Sequence, residues 1–186
     1  MSEDDPLHVE YSTVPELTEL VTYAVESISL GFERWDEEFV RGPSLYFVLV
    51  AGVHAGDYAD PLGENQWPVE TCRIVDNDLD TFVDAARNVA FERDGAVLVS
   101  TDGTVQEQMV RIKSPGDDEL ARRQQTVEYA DWMGTKHLSA AEISVREEVW
   151  AAVTLSEETG RVTVFEDGTF EDYPRERLGE RWRSAD

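Results

Sequence analysis

The sequence predicts an α/β fold, a single domain spanning 1–186 with a central mixed β-sheet flanked by helices. Two segments, 15–28 and 79–91, repeat apolar residues at helical spacing. Short apolar runs at 45–51, 96–99, 149–155 and 161–165 have strand length and are interleaved with helical segments, the signature of a layered α/β chain. A chain of 186 residues is long enough to bury a sizeable core, and no internal repeat divides it.

In order along the chain, Leu17, Leu20, Val21, Ala24, Val25 and Ile28 place one apolar face on the first helix, with Ser12 or Thr13 as cap and Pro15 in the first turn. After Gly42-Pro43, the run 45–51 is rich in Val and aromatics and predicts a strand buried on both faces. Gly56, Pro61, Gly63 and Pro68 mark 54–76 as a long connection. Within it His54, Asp57 and Asp60 are either a small metal-like cluster or, the simpler reading, a solvated loop; His8 is read as a surface residue. The second helix presents Leu79, Phe82, Val83, Ala86 and Ala90, with Asn77 or Asp78 as cap, and stops before Asp94-Gly95. A strand at 96–99, a hairpin turn at Asp102-Gly103 and an antiparallel return over 104–112 follow. Pro115-Gly116 breaks the chain, 119–133 is helix-compatible, and a further helix follows Gly134. Strands at 149–155 and 161–165 are joined by a tight turn over 157–160, and the charged tail 173–186 is expected to be peripheral.

Forty Asp and Glu against 16 Lys and Arg give a formal charge of -24. Such self-repulsion penalises a compact state unless salt screens it, and the Debye length falls from about 10 Å at 0.1 M to about 3 Å at 1 M. The acids are scattered through apolar-periodic segments, which favours a salt-adapted surface over an acidic tail. A nucleic-acid mimic and an ordinary low-pI protein are the other readings. Direct binding of nucleic acid is not expected, because it needs a basic face. One cysteine, Cys72, allows no intrachain disulfide, the N-terminus lacks a signal-peptide pattern, and no apolar run reaches membrane-spanning length. These observations lead to an expectation of a cytoplasmic protein with no membrane partner.

Three polar segments lie at the ends of predicted elements, where sites are built on rigid scaffolds. Asp94-Gly95-Ala96 puts a carboxylate and a free backbone between a helix and a buried strand; the carboxylate suits Mg²⁺ or Mn²⁺, or a turn. Gly134-Thr135-Lys136-His137 opens a helix, where N–H groups and the dipole favour phosphate, or where the residues are a plain cap. Ser156-Glu157-Glu158-Thr159-Gly160 offers a hydroxyl and two carboxylates directly after a strand, or a bare hairpin turn.

In this order and spacing the three segments resemble the DAC domain of diadenylate cyclases, found in the bacterial DNA-integrity scanning proteins and related cyclases. The matching stretches are DGAVLVSTDGTV from Asp94, MGTKHLSAAEIS from Met133 and VTLSEETGRVTVFEDG from Val153. The resemblance covers 79–168; the region 7–76 matches only in its helix and strand outline. It implies an enzyme that condenses two ATP into cyclic di-AMP and releases two pyrophosphates, with active sites face to face across a homo-oligomer. By carry-over, Asp94 is the catalytic carboxylate and, with Glu158, a ligand of Mg²⁺ or Mn²⁺. Gly95, Ala96, Gly134, Thr135, Lys136, His137, Ser156 and Glu157 bind the nucleotide. With the acidic surface, the resemblance suggests a stand-alone haloarchaeal version.

The family's Arg-His-Arg stands here as Lys136-His137-Leu138. Lysine keeps a point charge but loses the bidentate fork of arginine, and Leu138 carries no charge. Arg111, Lys113, Arg122, Arg123 or Arg146 are the expected substitutes. Two alternatives have a different function class: a catalytically impaired regulatory protein that binds ATP or cyclic di-AMP, and an acidic protein-interaction module.

Overall fold

The computed structural model describes residues 14–51, 58–68, 79–114, 117–122 and 127–180. Within them the first helical period forms α1 (Val14–Gly31), with Leu17, Val21, Ala24, Val25 and Ile28 buried as expected. Burying side chains of this kind contributes about 1.5–3 kcal/mol for each large one, which holds the helix to the sheet. The proposed caps Ser12 and Thr13 lie outside the described residues.

The sheet is built from β1 (Leu45–Val50), β3 (Val97–Ser100), β5 (Val149–Leu155), β6 (Val162–Glu166) and β7 (Thr169–Tyr173), in the order β3-β1-β5-β6-β7. It is mixed: β3 runs parallel to β1, and the other neighbours are antiparallel. β1 is buried along its whole length, as its unbroken apolar run requires.

Its side chains divide by the period-2 rule. Leu45, Phe47 and Leu49 join the core under α1 and α2 (Leu79–Glu92). Tyr46, Val48 and Val50 join the opposite core under α4 (Thr135–Ile143). On the first side Phe82 of α2 meets Phe47 at 5.7 Å and stacks on Trp67 at 5.4 Å. The molecule is thus a sheet between two helical layers, the mixed α/β architecture expected from the sequence.

Four segments differ from expectation. Part of the long connection at 54–76 is a strand, β2 (Ala59–Gln66), which pairs antiparallel with β4 (Gln108–Ile112) in a separate two-stranded ribbon. Its signal is hidden because it is polar, contains Pro61 and Gly63, and loses register between Pro61 and Gln66, features confined to edges and bulges. The return after Asp102-Gly103 does run antiparallel, yet it touches the 96–99 segment only through bridges Ala96–Val110 and Val99–Val105 before joining β2. The helix-compatible stretch 119–133 yields α3 (Asp117–Arg122) and no helix over 127–134, where Val127 and Met133 pack against the core under α4 from non-helical backbone. The tail is less peripheral than its charge suggests: Leu178, after a short 3-10 turn (Arg175–Arg177), is buried in the core.

Phe82 is 4% exposed and bridges α2 to β1. Replacing it with alanine is expected to cost about 3–5 kcal/mol. A denaturant-unfolding midpoint unchanged by Phe82→Ala would contradict this packing.

Candidate functional site

Strand order brings the three chemical segments to one rim. Phe47 is opposite Val97 in the parallel β1–β3 pair, and Leu45 is opposite Leu155 in the antiparallel β1–β5 pair. The starts of β3 and β1 and the end of β5 therefore lie at the same end of three adjacent strands. Strands are about 4.8 Å apart, so segments 94–96 and 156–158 face each other across β1 at a separation on the order of 10 Å.

α4 arrives at this rim by its N-terminus. Gly134 caps it in an extended conformation and makes no side-chain cap hydrogen bond. The first-turn N–H groups of a helix have no intrahelical acceptor, and with no capping oxygen they are available to an anion. A cleft of about 350 Å³ opens in front of them, lined by Gly134, Thr135, Lys136 and His137 on one side and Ser156, Glu157 and Glu158 on the other. Two of the three segments thus share one cavity.

The third stands at its edge. Asp94, Gly95 and Ala96 are not part of the cleft lining, but Asp94 acts electrostatically on the Lys136 ammonium, as Glu157 and Glu158 do. The exposed Asp94 carboxylate accepts from the Gly95 N–H at 2.9 Å, and Asn65 of β2 donates to the Asp94 carbonyl. Gly95 has φ +115°, and a Cβ there would meet Leu62 at 2.7 Å and the Val110 carbonyl at 3.1 Å, so glycine is required by the ribbon that crosses it. Ala96 is 1% exposed, and its N–H and carbonyl both bond to Val110.

Lys136 is turned inward. Its Nζ donates to Ser44 Oγ at 2.7 Å and to the Leu155 carbonyl, tying α4 to the start of β1 and the end of β5. Burial drives its pKa down to about 8, against the pull of Glu157, Asp94 and Glu158. His137 is 7% exposed and its Nε2 has no protein partner; burial first, then Lys136 and Arg161, lower its pKa to about 4. It is a neutral imidazole at physiological pH, packed edge-on against Trp132 with ring centroids 5.0 Å apart. Ser156 Oγ accepts from the Glu158 N–H and shapes the turn, while Glu157 pairs with Arg41 at 3.7 Å.

Of the cations expected to replace the missing arginines, Lys113 pairs with Asp60 on the ribbon, Arg146 lies over Tyr58, and Arg111 is exposed on β4. None lines the cleft. Arg123 and the side chain of Arg122 fall outside the described residues, as do His8, His54, Asp57 and Cys72. Sequence reasoning missed Ser44, Trp132, Arg161 and Arg41. Trp132, whose face carries the Arg161 guanidinium at 4.3 Å, lies two residues before Gly134 and was legible as an aromatic beside a motif. The others are brought close only by folding.

No group of three or more His, Cys, Asp or Glu side chains among the described residues forms a metal site. A hard divalent cation that arrives on a triphosphate needs only one or two protein carboxylates, because phosphates and water complete its shell. Asp94 and Glu158 fit that smaller requirement in donor chemistry.

Two pH effects follow. For His137 the folded value near 4 lies below the ordinary 6.5, so stability is lost as pH falls through that window, and its imidazole resonances should titrate near pH 4. A midpoint at 6 to 7 in an NMR titration would refute the burial. For Lys136 the unfolded chain holds the extra proton between about 8 and 10.5, so folding stability should gain as pH rises through that range. The unfolding free energy of wild type relative to Lys136→Met should therefore increase from pH 8 to 10.5; a flat difference would contradict the inward ammonium.

No family model and no curated protein matches the chain. Several solved structures resemble it in three dimensions, among them the following two. DacA from Staphylococcus aureus, solved as a double mutant, is 16% identical, with 94% of this chain and 97% of that one covered at a TM-score of 0.53. A hypothetical membrane spanning protein from Bacillus cereus is also 16% identical, with 90% and 66% covered and a TM-score of 0.54. Among the described residues of this chain, no helix is long and apolar enough to cross a membrane. The fold expected from the three motifs, that of the DAC domain, is the fold of this chain.

Proposed function

We propose that the protein is a diadenylate cyclase, a nucleotidyltransferase that condenses two ATP into cyclic di-AMP. The observation that carries this reading is the convergence of the three motif segments, which are far apart in sequence, on one rim of a sheet with the DacA fold.

In this reading the triphosphate enters the cleft with its oxygens on the free N–H groups of α4, the Thr135 hydroxyl and Ser156. Gly95 and Ala96 flank the nucleoside, Glu157 borders the phosphates, and neutral His137 offers Nε2 as a hydrogen-bonding atom rather than as a charge. Asp94 takes the proton of the ribose 3′-hydroxyl. The 3′-oxygen bonds to the α-phosphorus of the other ATP, the α–β bridging bond breaks, and pyrophosphate leaves; the second half-reaction repeats this. Mg²⁺ or Mn²⁺, held by Asp94 and Glu158, would supply charge neutralisation on the phosphates. Such transfer depends on positioning and charge compensation, which a rigid rim supplies. Because each nucleotide attacks the other, two sites must meet, and a homo-oligomer with facing clefts is part of the proposal. So is a salty cytoplasm, where screening offsets the formal charge of -24 on each copy.

One observation favours a second reading, a regulatory protein that binds ATP or cyclic di-AMP without turnover. The Lys136 ammonium is spent on Ser44 and Leu155, and Leu138, 37% exposed, adds no charge. Incubation with ATP and Mn²⁺ in about 1 M KCl, followed by mass spectrometry, separates the two. Cyclic di-AMP is expected, and Asp94→Asn should reduce its formation by about 10²–10⁴-fold with an unchanged unfolding midpoint. Nucleotide binding without product would select the regulatory reading.

A further inference from the structure

The cleft has an electrostatic gap. Its lining includes Glu157 and Glu158, its one lysine is directed inward, and its histidine is neutral. An anion of several charges placed there meets helix N–H groups, while the Arg161 guanidinium over Trp132 is already paired with Asp172 at 2.8 Å.

The connection between α1 and β1 reaches this gap. Its backbone is fastened to the turn after β5: the Gly42 N–H donates to the Glu157 carbonyl at 3.1 Å. Trp35 locks it from beneath. The indole Nε1 donates to the Ser29 carbonyl at 3.0 Å, Ser29 Oγ donates to the Gly160 carbonyl at 2.6 Å, and the ring packs against both Gly42 and Gly160. A Cβ on Gly42 would overlap that ring, so this residue must be glycine for the connection to lie flat. The residue held next to this anchor is Arg41. Its guanidinium lies 3.7 Å from the Glu157 carboxylate, and its side chain is 85% exposed.

A loose, exposed ion pair of this kind contributes about 0–1 kcal/mol, so little is lost when the guanidinium exchanges one oxyanion for another. Its backbone is fastened while its head group is exposed, and a planar fork suits phosphate better than an ammonium does.

We propose that Arg41, presented by the Trp35-locked connection, is a phosphate-binding residue of the cleft that leaves Glu157 to contact the triphosphate of the bound nucleotide. This rests on the reading that the cleft takes a nucleoside triphosphate. Arg41 thereby supplies, from the opposite side of the cleft and a distant part of the chain, the charge that Leu138 lacks.

The test is calorimetric binding of ATP, inorganic tripolyphosphate and adenosine to the full chain and to Arg41→Gln and Arg41→Lys, at matched ionic strength. Arg41→Gln should weaken ATP and tripolyphosphate about tenfold, as expected for loss of one charge-assisted contact, and leave adenosine unchanged. Arg41→Lys should recover part of the loss. Equal affinity of wild type and Arg41→Gln for both phosphates would overturn the proposal, as would equal weakening of adenosine or a wild type that binds neither phosphate. Product analysis on the same samples separates this from the cyclase reading. Arg41-dependent triphosphate binding without cyclic di-AMP would sink the cyclase and keep Arg41; cyclic di-AMP formed with Arg41-independent affinity would do the reverse.

Discussion

The site depends on the pairing of one strand. β1 carries a parallel ladder to β3 on one edge and an antiparallel ladder to β5 on the other, and it is buried on both faces. Opposite strand directions on its two sides bring the beginning of β3 and the end of β5 to the same rim. Without that combination Asp94 and Ser156 would stand at opposite ends of the sheet. A slip of one residue would turn Tyr46, Val48 and Val50 from one core to the other, so the two packed layers hold the register and, with it, the site.

α4 is placed on this frame by polar contacts as much as by apolar ones. Ala140, Ala141 and Ile143 seat its inner face, Tyr46 and Ser139 share a hydrogen bond at 3.0 Å, and Lys136 reaches across to both β1 and β5. The lysine that resembles a phosphate ligand in the sequence is therefore also a structural tie, bought with a pKa lowered by burial. The same rim packs a neutral histidine beside Trp132 and holds the Lys136 ammonium on protein oxygens. What it presents to an anion is mainly backbone N–H, with arginine available from the α1–β1 connection.

Most of the elements were legible because they bury continuous or periodic apolar surface. α1 and α2 show their stripes, and β1, β3, β5 and β6 show apolar runs bounded by polar residues, Gly or Pro. β2 was not, since its partner is a single strand and its side chains are largely polar, leaving no alternation to detect. Leu178 was hidden in a charged tail for a similar reason: one buried residue has no period.

The order and chemistry of the three motifs, the acidic balance of charge and the helix at Gly134 were set out by the amino-acid sequence alone, because each is a local property of neighbouring residues. Tertiary structure alone decided which of those residues share a cavity, which way Lys136 points, that His137 is stripped of its charge, and that Arg41 rather than Arg146 stands beside Glu157. The physical reason is that burial, desolvation and ion pairing depend on distances across β1 and around the α1–β1 connection. Spacing along the chain does not encode those distances.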